Sequence, residues 1–260
     1  MTPETKATST STPGEKPAGF IGRVTGLWFS PGDTFREIAR RPDILFPIIG
    51  LIIIGGITGY VMIDRIGLAN FFGQGMRQAV NAGSMTQEQM DQQLAAMTTG
   101  NTARFIKLSF IFFGALGNVF FALVSAAVFR LVSMVMGYEN GFKKLFSVSL
   151  YTFLAVGIIS SILFVVILFL KSPDEIDIQN LVGSNLAALL TAFVSKDSIP
   201  KFVMNLARWV DVFAFWMISL LAIGYAAVSQ KLKTSTAGWV VGSIYALVAI
   251  IGSVIGTIRG

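Results

Sequence analysis

The chain has 260 residues, of which 53% are hydrophobic and 13% charged, about half the ~25% charged fraction of an average soluble domain. Its net charge of +6, from 20 basic and 14 acidic residues, falls on so little aqueous surface that it reflects membrane topology, and nucleic-acid binding is not expected. With no cysteine and no histidine, disulfides, thiolate chemistry, His-ligated haem, the usual zinc sites and histidine-assisted serine catalysis are excluded, so neither an enzyme nor a cofactor is expected.

The first 18 residues, MTPETKATSTSTPGEKPA, are rich in Thr, Ser and Pro and lack the apolar core of a secretory signal. Residues 1–19 therefore read as a disordered polar tail. Residues 20–43 mix Phe20, Ile21, Val24, Leu27, Trp28, Phe29, Phe35 and Ile38 with Arg23, Arg36, Arg40 and Arg41, which suits an interfacial helix attracted to anionic lipid headgroups or to a protein partner. Ser30 is placed to cap a helix with Pro31 as its first residue and Asp33 in its first turn, and Pro42 ends it.

Five apolar runs then follow, at about 44–63, 106–129, 146–170, 210–228 and 238–258. Each has about the 20 residues a helix needs to cross ~30 Å of hydrocarbon. The fold class expected is all-α, a polytopic five-transmembrane-helix bundle over residues 44–258. Between the first two runs, Thr86 and Gln89 have capping-box spacing, and Met85, Met90, Leu94 and Met97 make a helical stripe able to cover the rim of the bundle. The stretch from Ile178 to Val194 has too short an apolar core for a span and reads as an interfacial or re-entrant helix.

Orientation follows from the basic residues near span ends. Arg23, Arg36, Arg40 and Arg41 precede the first span, Arg130, Lys143 and Lys144 border the turn after the second, and Lys231 and Lys233 lie after the fourth. Five spans put all three regions on one side, expected to be the cytoplasm, with the C-terminus outside.

Within the spans, glycine pairs four apart (Gly55 and Gly59, Gly238 and Gly242, Gly252 and Gly256) allow close approach of helix backbones, within the chain or in a homo-oligomer. Asn118, near the middle of the second span, can bond to a neighbouring helix or to a polar solute. Asp211, at the start of the fourth, lies three residues after Arg208, a spacing that makes an ion pair if one helix carries both. Asp64 and Arg65 close the first span, where charge is cheap.

In WFSPGDTFREIARRPDILFPII, GYENGFKKLFSVSLYTFLAVGIISSIL and the stretch from Asn185 to Tyr225, the chain resembles the bacterial branch of the Yip-domain family, named for Ypt/Rab-interacting proteins. The positions that carry the likeness are Trp28, Pro31, Phe35, Asn185, Asp211, Phe213, Trp216 and Gly224. The resemblance implies a five-helix integral membrane domain with a cytoplasmic N-terminus. PDILFP stands where eukaryotic members carry Asp-Leu-x-Gly-Pro, so their link to Rab-family GTPases is not carried over. The expected function is that of a non-enzymatic scaffold or adaptor in a bacterial inner membrane. The alternative is a small permease with a polar path near Asn118 and Asp211.

Overall fold

Phe20–Phe29 (α1) and Pro31–Arg40 (α2) open the described structure, followed by Leu45–Ile66 (α3), Leu68–Asn81 (α4), Gln87–Thr98 (α5), Gly100–Val135 (α6) and Phe142–Leu170 (α7). Leu186–Phe193 (α8), Lys201–Trp209 (α9), Val212–Val228 (α10) and Thr234–Arg259 (α11) complete it. The computed structural model describes residues 18–138, 140–172, 182–195, 198–229 and 231–259. Most of the expected polar tail, and residues 178–181 of the expected re-entrant stretch, lie outside them.

Among the described residues four helices, α3, α6, α7 and α11, are long and apolar enough to cross a membrane. Helix α10 has 17 residues, ~26 Å at 1.5 Å per residue, just under the ~30 Å hydrocarbon thickness. The chain is an all-helical, multi-pass membrane protein, and the count of five spans is approximate because the fourth is short. Its surface agrees with a lipid surrounding. Phe105, Phe112, Phe113, Phe120 and Phe121 all stand exposed along α6, a continuous apolar face larger than soluble proteins leave in water.

Helix α7 is the axis of the bundle. Leu145, Val148, Leu150, Tyr151, Leu154 and Ala155 on it are buried, against Phe35 and Ile38 of α2, Ala122, Ala126 and Phe129 of α6, and Leu220 and Tyr225 of α10. Residues 20–43 thus form two helices broken at Ser30, and the second is part of the core. Helix α3 lies against α6 where Gly55 and Gly59 face Gly114 and Phe110: a Cβ on Gly55 would stand 2.0 Å from the Gly114 carbonyl oxygen. Of the other glycine pairs, Gly252 and Gly256 make room for Trp209 and Asn205 of α9, whereas Gly242 faces open space.

Alternation of the spans puts α1, α2, the α6–α7 turn and the α10–α11 turn at one end, where Arg and Lys clearly outnumber Asp and Glu, and α4, α5, α8 and α9 at the other, where the two signs are nearly balanced. At that opposite end Gly67, at φ 74° and ψ 150°, turns α3 into α4 through backbone space that only glycine enters readily. Phe71 and Phe72 of α4 then pack edge-on to Phe110 of α6, with Phe71 and Phe110 ring centres 4.7 Å apart. Thr86 and Gln89 form the expected capping box. The methionine stripe turns inward: Met90 is buried, and Leu94 reaches the α4 backbone at Gly73.

Candidate functional site

Two polar joints, one at each end of the bundle, gather most of the residues singled out from the sequence. The joint at the basic end docks α1 and α2 onto the spans. Pro31 is the first residue of α2 and Ser30 its N-cap, although the Ser30 side chain makes no capping bond. Phe35 is fully buried, with its ring against Gly224 of α10, where an added Cβ would lie 3.1 Å from the ring and 2.4 Å from Val148 Cγ1. The Trp28 indole N–H donates to the Ala155 carbonyl of α7 at 3.1 Å, satisfying the one polar group of a half-buried ring.

Arg23 departs from its expected role. Instead of standing exposed with Arg36, Arg40 and Arg41, it is 7% exposed, pairs with Glu37 at 3.2 Å and donates to the Arg41 carbonyl at 3.1 Å. It is the only charge on α1, so when that helix lies on the core the guanidinium turns toward the counter-charge on α2. Arg36 pairs with Asp33 on the surface, and Arg40 and Arg41 are exposed. The linker ahead of α3 is fastened to α7: the Ser147 hydroxyl donates to the Asp43 carbonyl at 2.6 Å and the Tyr151 hydroxyl to the Asp43 carboxylate at 3.2 Å.

The second joint interrupts the fourth span. Helix α9 stops at Trp209 and α10 begins at Val212, yet both follow α11 in one antiparallel register. Ala222 faces Gly238, Trp209 faces Gly252, and Asn205 faces Gly256. At the interruption the Tyr245 hydroxyl donates to the Trp209 carbonyl at 2.7 Å. The chain at Ser184–Leu186 pairs with that at Val210–Val212 as an isolated antiparallel bridge between Asn185 and Asp211. Backbone bonds run from Leu186 N–H to Val210 O at 2.8 Å and from Val212 N–H to Ser184 O at 3.3 Å.

Each partner of the bridge caps a helix. Asp211 Oδ1 accepts from the Phe213 and Ala214 amides at 2.8 and 3.2 Å, Oδ2 accepts from the Ser184 hydroxyl, and Asn185 Oδ1 accepts from the Ala188 amide at 2.9 Å. The expected ion pair between Asp211 and Arg208 is absent. Arg208 bonds instead to Asn205 Oδ1 at 3.1 Å. The physical reason is the break at Val210, since three-residue spacing aligns side chains only along an unbroken helix.

A direct consequence is that Asp211→Ala should destabilise the bundle by about 0.5–2 kcal/mol, the range for losing an N-cap, whereas Asp211→Asn, which keeps an acceptor, should lose less. Arg208→Ala should not mimic Asp211→Ala. Thermal unfolding of the three variants in one detergent checks this. Equal losses for Arg208→Ala and Asp211→Asn would restore the ion pair.

Asn118 belongs to neither joint. It is half-buried on α6 and no protein group among the described residues bonds to it. A polar contact that sequence reasoning missed lies deeper, where the buried Tyr225 hydroxyl meets Ser125 of α6 at 2.8 Å and Ser149 of α7 at 2.7 Å. Its only sequence signal was three hydroxyl residues on three different apolar runs.

A family model described as the Yip1 domain matches residues 25–256. The chain belongs to the Yip1 domain family. No curated protein and no solved structure matches it significantly. The match takes in all eight positions on which the likeness rested, and in this Yip1 domain they are packing and capping positions. Trp28, Pro31, Phe35 and Gly224 meet at the basic-end joint, Asn185 and Asp211 form the opposite one, and Phe213 and Trp216 pack against the core from the first turns of α10.

Proposed function

We propose that this Yip1 domain protein is a non-enzymatic scaffold or adaptor of a bacterial inner membrane, with its basic end in the cytoplasm and its C-terminus outside. The observation that carries this reading is the division of labour among its polar groups. Inside the bundle, Asp211, Tyr225, Tyr151 and Trp28 are used in bonds between elements, and Asn185 in capping α8. At the basic end, Arg40, Arg41, Lys143, Lys144, Lys231 and Lys233 stand exposed on docked helices and short turns. Such a face suits an acidic protein surface or anionic headgroups. The permease reading has less support, because the Asp211 acceptors are taken up by capping and by the Ser184 hydroxyl, and no hydrogen bond among the described residues joins it to Asn118.

The test is cross-linking followed by affinity purification from the native membrane, with Arg40→Glu/Arg41→Glu in the full chain as the comparison. Deleting residues 20–43 would remove Phe35 and Ile38 from the core, so charge reversal is the cleaner change. A protein that co-purifies with the wild type and is lost with the reversal is the expected result. Recovery of lipid alone, together with solute flux in proteoliposomes that Asn118→Leu abolishes, would favour the permease.

A further inference from the structure

Helix α1 leaves a gap between itself and the spans it crosses. The gap is an open groove of about 340 Å³ walled by Phe20, Val24 and Trp28 of α1, Gly50 and Ile54 of α3, and Leu154 of α7. Its lining surface is entirely apolar, and its volume lies near the lower end of the ~300–1,000 Å³ of small-molecule sites. Gly50 helps make the space: a Cβ there would lie 3.0 Å from Leu154 and 3.4 Å from the Phe20 ring.

We propose that this groove holds one acyl chain of a phospholipid whose anionic headgroup sits at Arg40 and Arg41. The depth of the groove selects the occupant. Gly50 to Ile54 lie ~8–14 Å along α3 from its first residue, inside the hydrocarbon layer, where water is absent and unpaired polar groups are costly. Ile53, on the same wall, is 53% exposed, as are Phe46, Ile49 and Ile57 beside it at 56%, 43% and 57%, so the groove opens toward lipid. Helix α1 presents no charge to it, because Arg23 is turned away into its pair with Glu37.

The headgroup follows from charge. Arg40 and Arg41 are exposed and make no ion pair among the described residues. The bond from Arg23 to the Arg41 carbonyl holds that linker beside α1, and the Phe20 ring in the groove wall lies 6.1 Å from Tyr151, which bonds Asp43 two residues farther on. The segment that carries these two exposed guanidinium groups is thus fastened to the helix and the span that wall the groove, and each group is a strong partner for a phosphate. This site does not depend on the adaptor reading. A permease could hold the same lipid.

The experiment uses the full protein in phosphatidylcholine nanodiscs doped with phosphatidylglycerol that carries a photoreactive group in its acyl chain, with labelled peptides mapped by mass spectrometry. Labelling across Thr25–Trp28 and Gly50–Ile54 should exceed that of the lipid-facing Phe112–Phe113 and Phe120–Phe121 by about tenfold, the ratio that a preference of about 1.4 kcal/mol gives. Gly50→Leu and Thr25→Trp fill the groove from opposite walls and should each abolish the excess, so a folding defect in one leaves the other. Arg40→Gln/Arg41→Gln should make a phosphatidylcholine probe label the groove as well as the phosphatidylglycerol probe does. Even labelling of the groove and α6 in the wild type would overturn the site, as would an excess that survives both filling variants. A wild type that takes up both probes equally would overturn the headgroup assignment.

Discussion

Replacing Gly55 by alanine should cost this protein more stability than any other single methyl group added to it, while the same change at the adjacent Gly56 should cost nothing. A Cβ on Gly55 would stand 2.0 Å from the Gly114 oxygen and 2.8 Å from its carbonyl carbon. Those are backbone atoms of α6 and cannot swing aside as a side chain would, so α3 and α6 must separate along their contact. Close backbone approach at small residues is the main attraction between helices in lipid, where the hydrophobic effect gives no preference for association. Loss of several contacts at once puts the cost at the upper end of the ~1–3 kcal/mol of overpacked cores, or beyond it. At Gly56 the nearest atom is Ala115 Cβ at 3.7 Å, an ordinary contact, and alanine is favoured over glycine within a helix by ~1 kcal/mol. Unfolding of both variants in the same detergent, with accumulation in the membrane beside it, makes the comparison. Equal melting of the two would mean that α3 and α6 are not held by this contact.

The glycine pair was legible because spacing alone puts Gly55 and Gly59 on one face. Its partner on α6 was not, since Gly114 has no glycine four residues away to mark it. Apolar runs fixed the long helices well, because in lipid a helix is the one way an isolated segment satisfies its own backbone. They located the ends less well: α6 begins at Gly100, six residues before the apolar run, as Thr99 and Gly100 provide its start.

Asp211 was legible as important and misread in role. The pairing with Arg208 assumed a continuous helix, and no Pro or Gly marks the break at Val210. What did mark it were Asn185 and Asp211 themselves, each an N-cap type of residue directly ahead of an apolar run. Arg23 was grouped with the other arginines by charge, although a lone charge on an otherwise apolar helix is better placed to seek a counter-charge than to face solvent. The long-range contacts, Phe35 against Gly224 or Tyr225 against Ser149, depend on which spans adjoin, and that information is not carried by any one segment.

The second large effect should appear at Gly224, where α2 is keyed into the bundle. An alanine there would bring its methyl carbon 2.4 Å from Val148 Cγ1 and 3.1 Å from the Phe35 ring. Three elements meet at this point and Phe35 is fully buried, so α2 is the one that yields, being held at its two ends by linkers instead of by a full span. Gly224→Ala should therefore cost about 1–3 kcal/mol and raise the reactivity of a cysteine placed at Thr34, a position buried in the native protein. Val148→Ala removes the clashing Cγ1 and opens a small cavity when made alone. Combined with Gly224→Ala it should restore part of the lost stability and the protection at residue 34, giving a favourable coupling of about 0.5–3 kcal/mol between neighbours that share one space. Additive losses in the double variant, with residue 34 equally protected throughout, would show that α2 is not seated through this contact. Since Arg40 and Arg41 project from the last turn of α2 and the residue after it, release of that helix should also weaken whatever the basic face binds. A cysteine-reactivity series read beside partner or lipid recovery would then tie the packing at Gly224 to the working surface of the protein.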